Sequence, residues 1–423
     1  MTNKSTVEIM APVGSYESLA AAINAGADSI YFGVTQLNMR ARSANNMTLD
    51  DLAKVASICH EKNVKAYLTV NTLLYEHDMS IMRKIVDAAK ANGIDAIIAS
   101  DFAAIQYANQ VGMSVHISTQ LSISNFEAVK FFAQFTNRVV MARELTLEQI
   151  KSIHEKILAE QLIGNEGRLM EIEAFVHGAL CIAQSGRCYM SLHTYNSSAN
   201  RGACKQNCRA KYKVTDVDTG KELIVDNEYI MSPTDICTID FIDKLIDAGI
   251  SVFKIEGRGR SPEYVDTVTR AYKSAALDVV NGTYTKEKIE KYYEELKSVF
   301  NRGLSDGYYL GKEIGAYAGT YGSKATKEKE FLGPVTHYFT KANICEVTLE
   351  SGEVKIGDEF IITGETTGVY RDTIKELHVD GQPAQSGKKG DVITFPVKEY
   401  IRINDKFYRI FKREDLQDYS PKE

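Results

Sequence analysis

One pattern recurs along this chain and restricts what it can fold into. A helix-like stretch closes on a glycine, and a short apolar strand follows at once. It runs as Ala25-Gly26-Ala27-Asp28 before Ser29-Ile30-Tyr31-Phe32, and as Asn92-Gly93-Ile94-Asp95 before Ala96-Ile97-Ile98. It returns as Val111-Gly112-Met113-Ser114 before Val115-His116-Ile117, and as Ala248-Gly249-Ile250-Ser251 before Val252-Phe253-Lys254-Ile255. Glycine takes the left-handed backbone that ends a helix at little cost. Short apolar strands without strict alternation suit a parallel sheet covered on both faces.

Eight such strands are expected, near 7–11, 29–33, 65–71, 95–100, 114–118, 137–142, 171–177 and 252–256, with helical patterns between them such as 50–62, 78–92, 124–135 and 147–158. The last helix is bounded by Ser261, Pro262 and Gly282, and carries one apolar stripe of Val265, Val268, Tyr272, Ala275, Ala276 and Val279. Eight alternations point to an α/β fold, a (β/α)8 barrel, with an open doubly wound sheet as the runner-up. Between the strand at 171–177 and a helix starting near 236 lies a stretch too long for an ordinary connection. It holds the cysteines and falls where barrel active sites form. From about 332 the texture changes to short strands separated by Ser351-Gly352, Gly357-Asp358, Asp380-Gly381 and Gly390-Asp391. The expected organisation is a barrel over 1–302 with an insertion at 178–235, a connector at 303–331, and a small all-β barrel at 332–423.

The 423 residues are 44% hydrophobic and 25% charged, the balance of a globular protein with a core large enough to need no disulfide. The opening MTNKSTVEIMAPVGS has no long apolar run, and no stretch approaches a membrane span. A cytoplasmic protein with reduced thiols is therefore expected. The net charge of −6 argues against nonspecific nucleic-acid binding over the whole surface but leaves room for a local basic patch.

Five of the seven cysteines fall between 181 and 237. Cys181, Cys188, Cys204 and Cys208 are spaced by 7, 16 and 4 in a polar, glycine-containing loop, and Cys237 follows. Clustered thiolates select zinc or iron–sulfur clusters. The close pair usual in structural zinc sites is missing, and on spacing alone iron–sulfur and zinc stand level. Cys59 and Cys345 lie in apolar elements and read as core. Between 187 and 213 there are six basic residues, Arg187, Arg201, Lys205, Arg209, Lys211 and Lys213, and no acid, with Tyr189, Tyr195 and Tyr212 interleaved. Such a stretch can neutralise phosphates and stack on unpaired bases, or it can balance a polyanionic metal site.

The run Glu173, Phe175, Gly178, Ala179, Cys181, Gly186, Cys188 and Ser191 resembles peptidase family U32. So do Ala11-Pro12-Val13-Gly14, His116 through Gln120 with Asn125, Arg143-Glu144, and Lys254 through Arg258. The resemblance implies an oxygen-independent hydroxylation protein with a [4Fe–4S] cluster on Cys181, Cys188, Cys204 and Cys208. One branch of the family converts the wobble uridine of tRNA to 5-hydroxyuridine and depends on prephenate; others act on ribosomal RNA or in anaerobic ubiquinone synthesis. Length and the appended β-region resemble the tRNA branch. Cys237 departs from that branch, as a spare thiol or a replacement for Cys208.

Strand ends supply the remaining candidates. Arg143, Glu144, His177, Glu256 and Arg258 are candidate catalytic groups. Arg40, Arg42, Ser118 and Gln120 are candidates for binding an acidic co-substrate, since arginine forks suit a dicarboxylate. Arg187, Arg201, Lys205, Arg209 and Lys211 are candidates for RNA. Internal ion pairing competes with function at Arg143–Glu144 and Glu256–Arg258, and a core role competes at His116 and His177. Two other functions stand beside RNA hydroxylation. A peptidase lacks support from any H-E-x-x-H, G-x-S-x-G or evident Cys/His/Asn set. A noncatalytic zinc-binding RNA module is the other.

Overall fold

The computed structural model describes residues 7–42, 45–220, 222–223, 229–311, 316–320 and 322–414. Eight parallel strands close on themselves: Glu8–Pro12, Ser29–Phe32, Lys65–Val70, Ala96–Ala99, Val115–Ile117, Arg138–Val140, Glu171–Ala179 and Ile250–Ile255. The eighth pairs with both the seventh and the first, which shuts the barrel. Gly26, Gly93, Gly112 and Gly249, which punctuate the repeat, have φ between 69° and 88°. Several helices start on side-chain caps: Ser15, Asp101, Asn125 and Thr146 each accept a backbone N–H of the first turn. The long helix Pro262–Asn281 buries the stripe read from the sequence against the barrel.

An apolar ring between strands and helices forms the main core, and a smaller cluster of Met10, Tyr31, Tyr67, Ala96, Ile98 and Val252 fills the barrel. At the strands' N-terminal ends lies an ionic layer. Buried Arg138 bonds Glu8 and Glu171, each at 2.8 Å, and Tyr67 donates to Glu8 at 3.0 Å. His116 packs edge-on to Tyr67 with ring centres 4.5 Å apart, and burial together with Arg138 and Lys254 holds its pKa well below the ordinary value. His116 is therefore a core group.

Two local expectations change. The segment read as a helix from about 236 begins as a strand, Asp235–Cys237, antiparallel to the last residues of the seventh strand; the helix is Ile242–Asp247. The seventh strand outruns its barrel neighbours, and its free edge takes this extra strand. The stretch read as a connector contains Leu304–Ser305, which extends the same sheet, and its last residues open the strand Lys327–Phe339. There the alternating charges of Lys327, Glu328, Lys329 and Glu330 hid a paired edge.

The C-terminal region is an antiparallel sheet of eight strands with its own core, in which Phe360, Phe395 and Phe407 meet at 5.1 to 5.5 Å. It leans on two barrel helices, Tyr16–Asn24 and Pro262–Asn281. Arg371 donates to Thr267 Oγ1 at 2.7 Å, and Lys329 pairs with Glu263 at 2.8 Å. Gly368, at φ +69°, has to be glycine here, since a Cβ would lie 2.8 Å from the Ala21 nitrogen. No helix of the described residues is long and apolar enough to cross a membrane.

Candidate functional site

The insertion begins where the seventh strand leaves the barrel, and it folds back over the mouth as a short helix, Met190–Tyr195, and two tight turns, Ala199–Arg201 and Asn207–Arg209. Its own polar groups hold it there. Asn200 accepts from the Cys188 N–H at 3.0 Å, and its carbonyl accepts from Leu73 at 3.1 Å. Arg201 pairs with Asp78 at 2.6 Å and lies over the Tyr75 ring. Arg209 turns inward, donating to Ser232 Oγ at 2.9 Å and to the carbonyls of Leu180 and Pro233. Gly186, at φ +73°, lets the loop lie against Gln120, whose Cγ would be 2.7 Å from any Cβ.

Beneath the insertion are two adjoining chambers. The outer one, about 190 Å³, is lined by Arg40, Arg143, Arg209, Arg260, Arg302 and Glu256 together with Cys181, Cys204 and Cys208. The inner one, about 160 Å³, reaches into the barrel to Tyr31, Asn71, Ser118, Gln120, Phe175 and Lys254, and all four insertion cysteines line it. None of the four is in a disulfide. Burial pushes the Cys208 thiol up, and the other three thiols add to the effect. Among the described residues no three His, Cys, Asp or Glu side chains are grouped to hold a single metal ion. Thiolates around one tetrahedral zinc crowd to roughly 3.8 Å from each other, given Zn–S bonds of about 2.3 Å. A multi-iron cluster spreads its thiolates over separate irons. The donor set, four free thiols on one chamber, is of the kind that thiolate metal centres use.

The chamber walls are charged and held in register. Arg40 bonds Glu256 at 2.7 Å, and Arg143 approaches the same carboxylate at 3.9 Å while lying over the Phe175 ring. Burial opposes ionisation of Glu256, but Arg40, Arg143 and Arg258 outweigh it and hold its carboxyl down to about 2. Arg258 is buried and donates to Asn38 and Thr69; burial lowers its pKa to about 10. Lys254 pairs with Glu173 at 2.6 Å beneath the inner chamber. Asn71 donates to Ser118 and Gln120, each at 3.3 Å, so hydroxyl and amide groups form one wall.

The structure thus gathers Arg40, Arg143, Ser118, Gln120, Glu256, Arg258 and the four cysteines around the chambers. Other expectations are corrected. His177 lines neither chamber. A bulge sets Ile255 opposite His177 one residue early, which turns the imidazole toward Tyr264 and Tyr272 in the helix layer. Burial lowers its pKa to about 3. NMR titration is expected to show no His177 protonation between pH 8 and 5, and a transition in that window would place the ring in contact with water. Glu144 points to solvent, and Glu256 pairs with Arg40 and Arg143 rather than with Arg258. Arg42 is exposed and borders a separate cleft beside Ser15 and Ser261. Arg201 and Arg209 are committed inward, because a loop without a core of its own is pinned by its long side chains; Arg187, Lys205 and Lys211 remain on the surface. Cys237 is buried against Tyr272, with its thiol pushed up to about 12 by burial, and lines neither chamber. Arg260 and Arg302 also line the outer chamber, with no local signal in the sequence to mark them. Arg260 lies two residues past Arg258, and Arg302 reaches the site only through the pairing of Leu304–Ser305.

The sequence profile of peptidase family U32 matches residues 14–316, from the first helix through the insertion and the arginine wall. The chain belongs to peptidase family U32. Its relatives carry different names. A Porphyromonas gingivalis protein named collagenase is 55% identical over 413 residues, 98% of this chain and 100% of its own. A Bacillus subtilis protein named tRNA hydroxylation protein P1 is 32% identical over 383 residues, 88% of this chain and 86% of its own. An Escherichia coli protein named a 23S rRNA 5-hydroxycytidine synthase is 30% identical over 321 residues, 74% of this chain and 47% of its own. Within U32, then, this chain resembles both RNA-hydroxylating proteins and ones named as proteases.

Proposed function

We propose that this U32 protein hydroxylates RNA in an iron–sulfur-dependent reaction, converting the wobble uridine of tRNA to 5-hydroxyuridine with prephenate as co-substrate. One observation carries the reading: four unpaired cysteines line a chamber at the barrel mouth that is walled by arginines. Cys181, Cys188, Cys204 and Cys208 would hold a [4Fe–4S] cluster, which when bound supplies one-electron transfer beside the substrate.

The chain's own groups do the rest. The inner chamber offers Asn71, Ser118 and Gln120 as amide and hydroxyl partners for the polar edge of a base, and Tyr31 and Phe175 as apolar faces. A base must leave its stack to enter such a pocket, and an unpaired anticodon base does so at low cost. Arg40 and Arg143, poised by Glu256, present N–H groups to an acidic co-substrate. On the outer surface Arg187, Lys205 and Lys211 are exposed, as are the rings of Tyr189 and Tyr195, a pattern suited to phosphates and unstacked bases.

Anaerobic purification with iron, sulfide and absorbance analysis tests the cluster, and nucleoside profiling of tRNA from a deletion strain tests the reaction. A brown protein with about four irons per chain, and loss of 5-hydroxyuridine, are expected. Tightly bound zinc without iron or sulfide favours the RNA-binding module. The collagenase reading is favoured by the 55%-identical relative of that name. Against it, no histidine lines either chamber, so a cysteine nucleophile has no imidazole base at hand. Gelatin cleavage by cluster-free protein that is lost in a Cys181→Ser variant would revive it.

A further inference from the structure

The outer chamber is charged beyond what its own walls neutralise. Five guanidiniums line it, and the carboxylates beside them are Glu256 and Asp235. Three of the five are accounted for. Arg40 holds Glu256, Arg143 donates to the Ala179 carbonyl at 3.2 Å and leans toward Glu256, and Arg209 ties the insertion to the barrel through carbonyls.

Arg260 and Arg302 are different. The Arg260 guanidinium lies over the Phe300 ring, its carbon 3.4 Å from the centre, and has no side-chain hydrogen bond or ion pair among the described residues. Arg302 approaches the same ring at 5.0 Å, and its one carboxylate contact is Asp235 at 3.3 Å. Burial raises the Asp235 pKa, and Arg302, Arg260 and Arg209 act against that rise, so one carboxylate answers three guanidiniums. Burial lowers the Arg260 pKa; Tyr264 and Asp235 oppose this, while Arg302 and Arg40 add to it. Two like charges share one aromatic platform and both side chains line the outer chamber, Arg302 buried and Arg260 partly so. Such an arrangement costs free energy unless something anionic bridges it.

We infer that Arg260 and Arg302 form an oxyanion site in the outer chamber, built for a carboxylate or phosphate group held in bidentate fashion next to the thiols. The platform fixes both forks, so the ligand meets donors already oriented. The charge of the chamber carries this, whatever reaction the thiols support. Two sources share the chemistry: the carboxylates of a small co-substrate, and a phosphate flanking a nucleotide bound in the inner chamber.

Titration calorimetry on the anaerobically purified full chain, with malonate, inorganic phosphate and uridine 5′-monophosphate as probes, tests the site. Saturable binding of at least one anion is expected. Arg260→Gln and Arg302→Gln should each weaken it by about tenfold or more, the scale of one lost charge-assisted contact. Arg260→Lys, which keeps the charge and loses the fork, should fall between, and it carries the test if the glutamine variants fail to fold. Arg270→Gln, on the exposed face of the helix Pro262–Asn281, should bind like the parent. Malonate as the preferred probe identifies the co-substrate as the source; the nucleotide as the preferred probe identifies RNA. Saturable binding by none of the probes overturns the inference, as does unchanged affinity in both glutamine variants or loss of iron with affinity intact. Nucleoside profiles of the same variants separate this result from the proposed reaction. Anion binding through Arg260 without any RNA modification sinks the reaction and leaves the site standing.

Discussion

Cys181→Ser is expected to leave a folded protein that holds little iron and forms no hydroxylated nucleoside above background. Cys181 is exposed and lines both chambers, so its loss should be felt by the centre and not by the core. Removing a hydrogen bond that merely supports a metal ligand costs roughly 10–100-fold. Removing a ligand outright should cost more, and a fall of about two orders of magnitude or greater in nucleoside yield is the expected scale. Cys188→Ser, Cys204→Ser and Cys208→Ser should behave alike. Cys237→Ala separates chemistry from clustering in sequence. That thiol lies in the core beside Tyr272, so the variant should keep its iron and its activity and lose only modest stability. Equal loss of iron in Cys181→Ser and Cys237→Ala, measured by metal analysis of anaerobic protein, would contradict the assignment of ligands.

Arg138→Met should cost about 3–5 kcal/mol at neutral pH, the range for removing one partner of a buried ion pair. The guanidinium is 4% exposed and answers Glu8 and Glu171 at once. Methionine fills much of the same volume, so the loss is charge rather than packing. The pH dependence has a definite sign. Burial opposes ionisation of Glu8, yet bonds and charge from Arg138, with help from Ser29 and Lys65, bring its pKa from 4.5 to about 2. A carboxylate lowered on folding stabilises the fold above its unfolded pKa and loses that contribution as pH falls toward the folded one. The shift corresponds to about 3 kcal/mol, present above pH 4.5 and mostly gone near pH 2. The gap between parent and variant in urea unfolding should therefore be widest at pH 7 and shrink by pH 3. A gap that stays constant with pH would mean that Arg138 acts through packing alone. Because Arg138 lies at the end of the barrel opposite the cysteines, iron content in the folded variant should match the parent.

Much of this molecule was legible before any coordinate. Glycine followed by an apolar run marks where a helix must stop and a covered strand begin, and that rule involves neighbours in sequence only. That rule marks four of the eight barrel strands; apolar runs mark the others, Ser261, Pro262 and Gly282 bound the long helix, and the length of the stretch after the seventh strand marks the insertion. Cys181, Cys188, Cys204 and Cys208 were candidates because four thiols in one polar loop are rare without a ligand.

The failures share a cause. His177 looked like a strand-end base, but a bulge in its pairing with the eighth strand turns it into the helix layer. Arg201 and Arg209 looked like surface cations, and the loop instead uses them as struts to Asp78 and to the barrel rim. Arg260 and Arg302 were invisible because residues 42 apart meet on one phenylalanine ring. Local composition determined which segments are strands, helices and thiol-bearing loop. Which way each polar side chain faces, and which charge it answers, was decided only when distant segments closed the barrel, since a strand's facing is set by its partner and a cation's partner by whatever carboxylate the fold brings within reach.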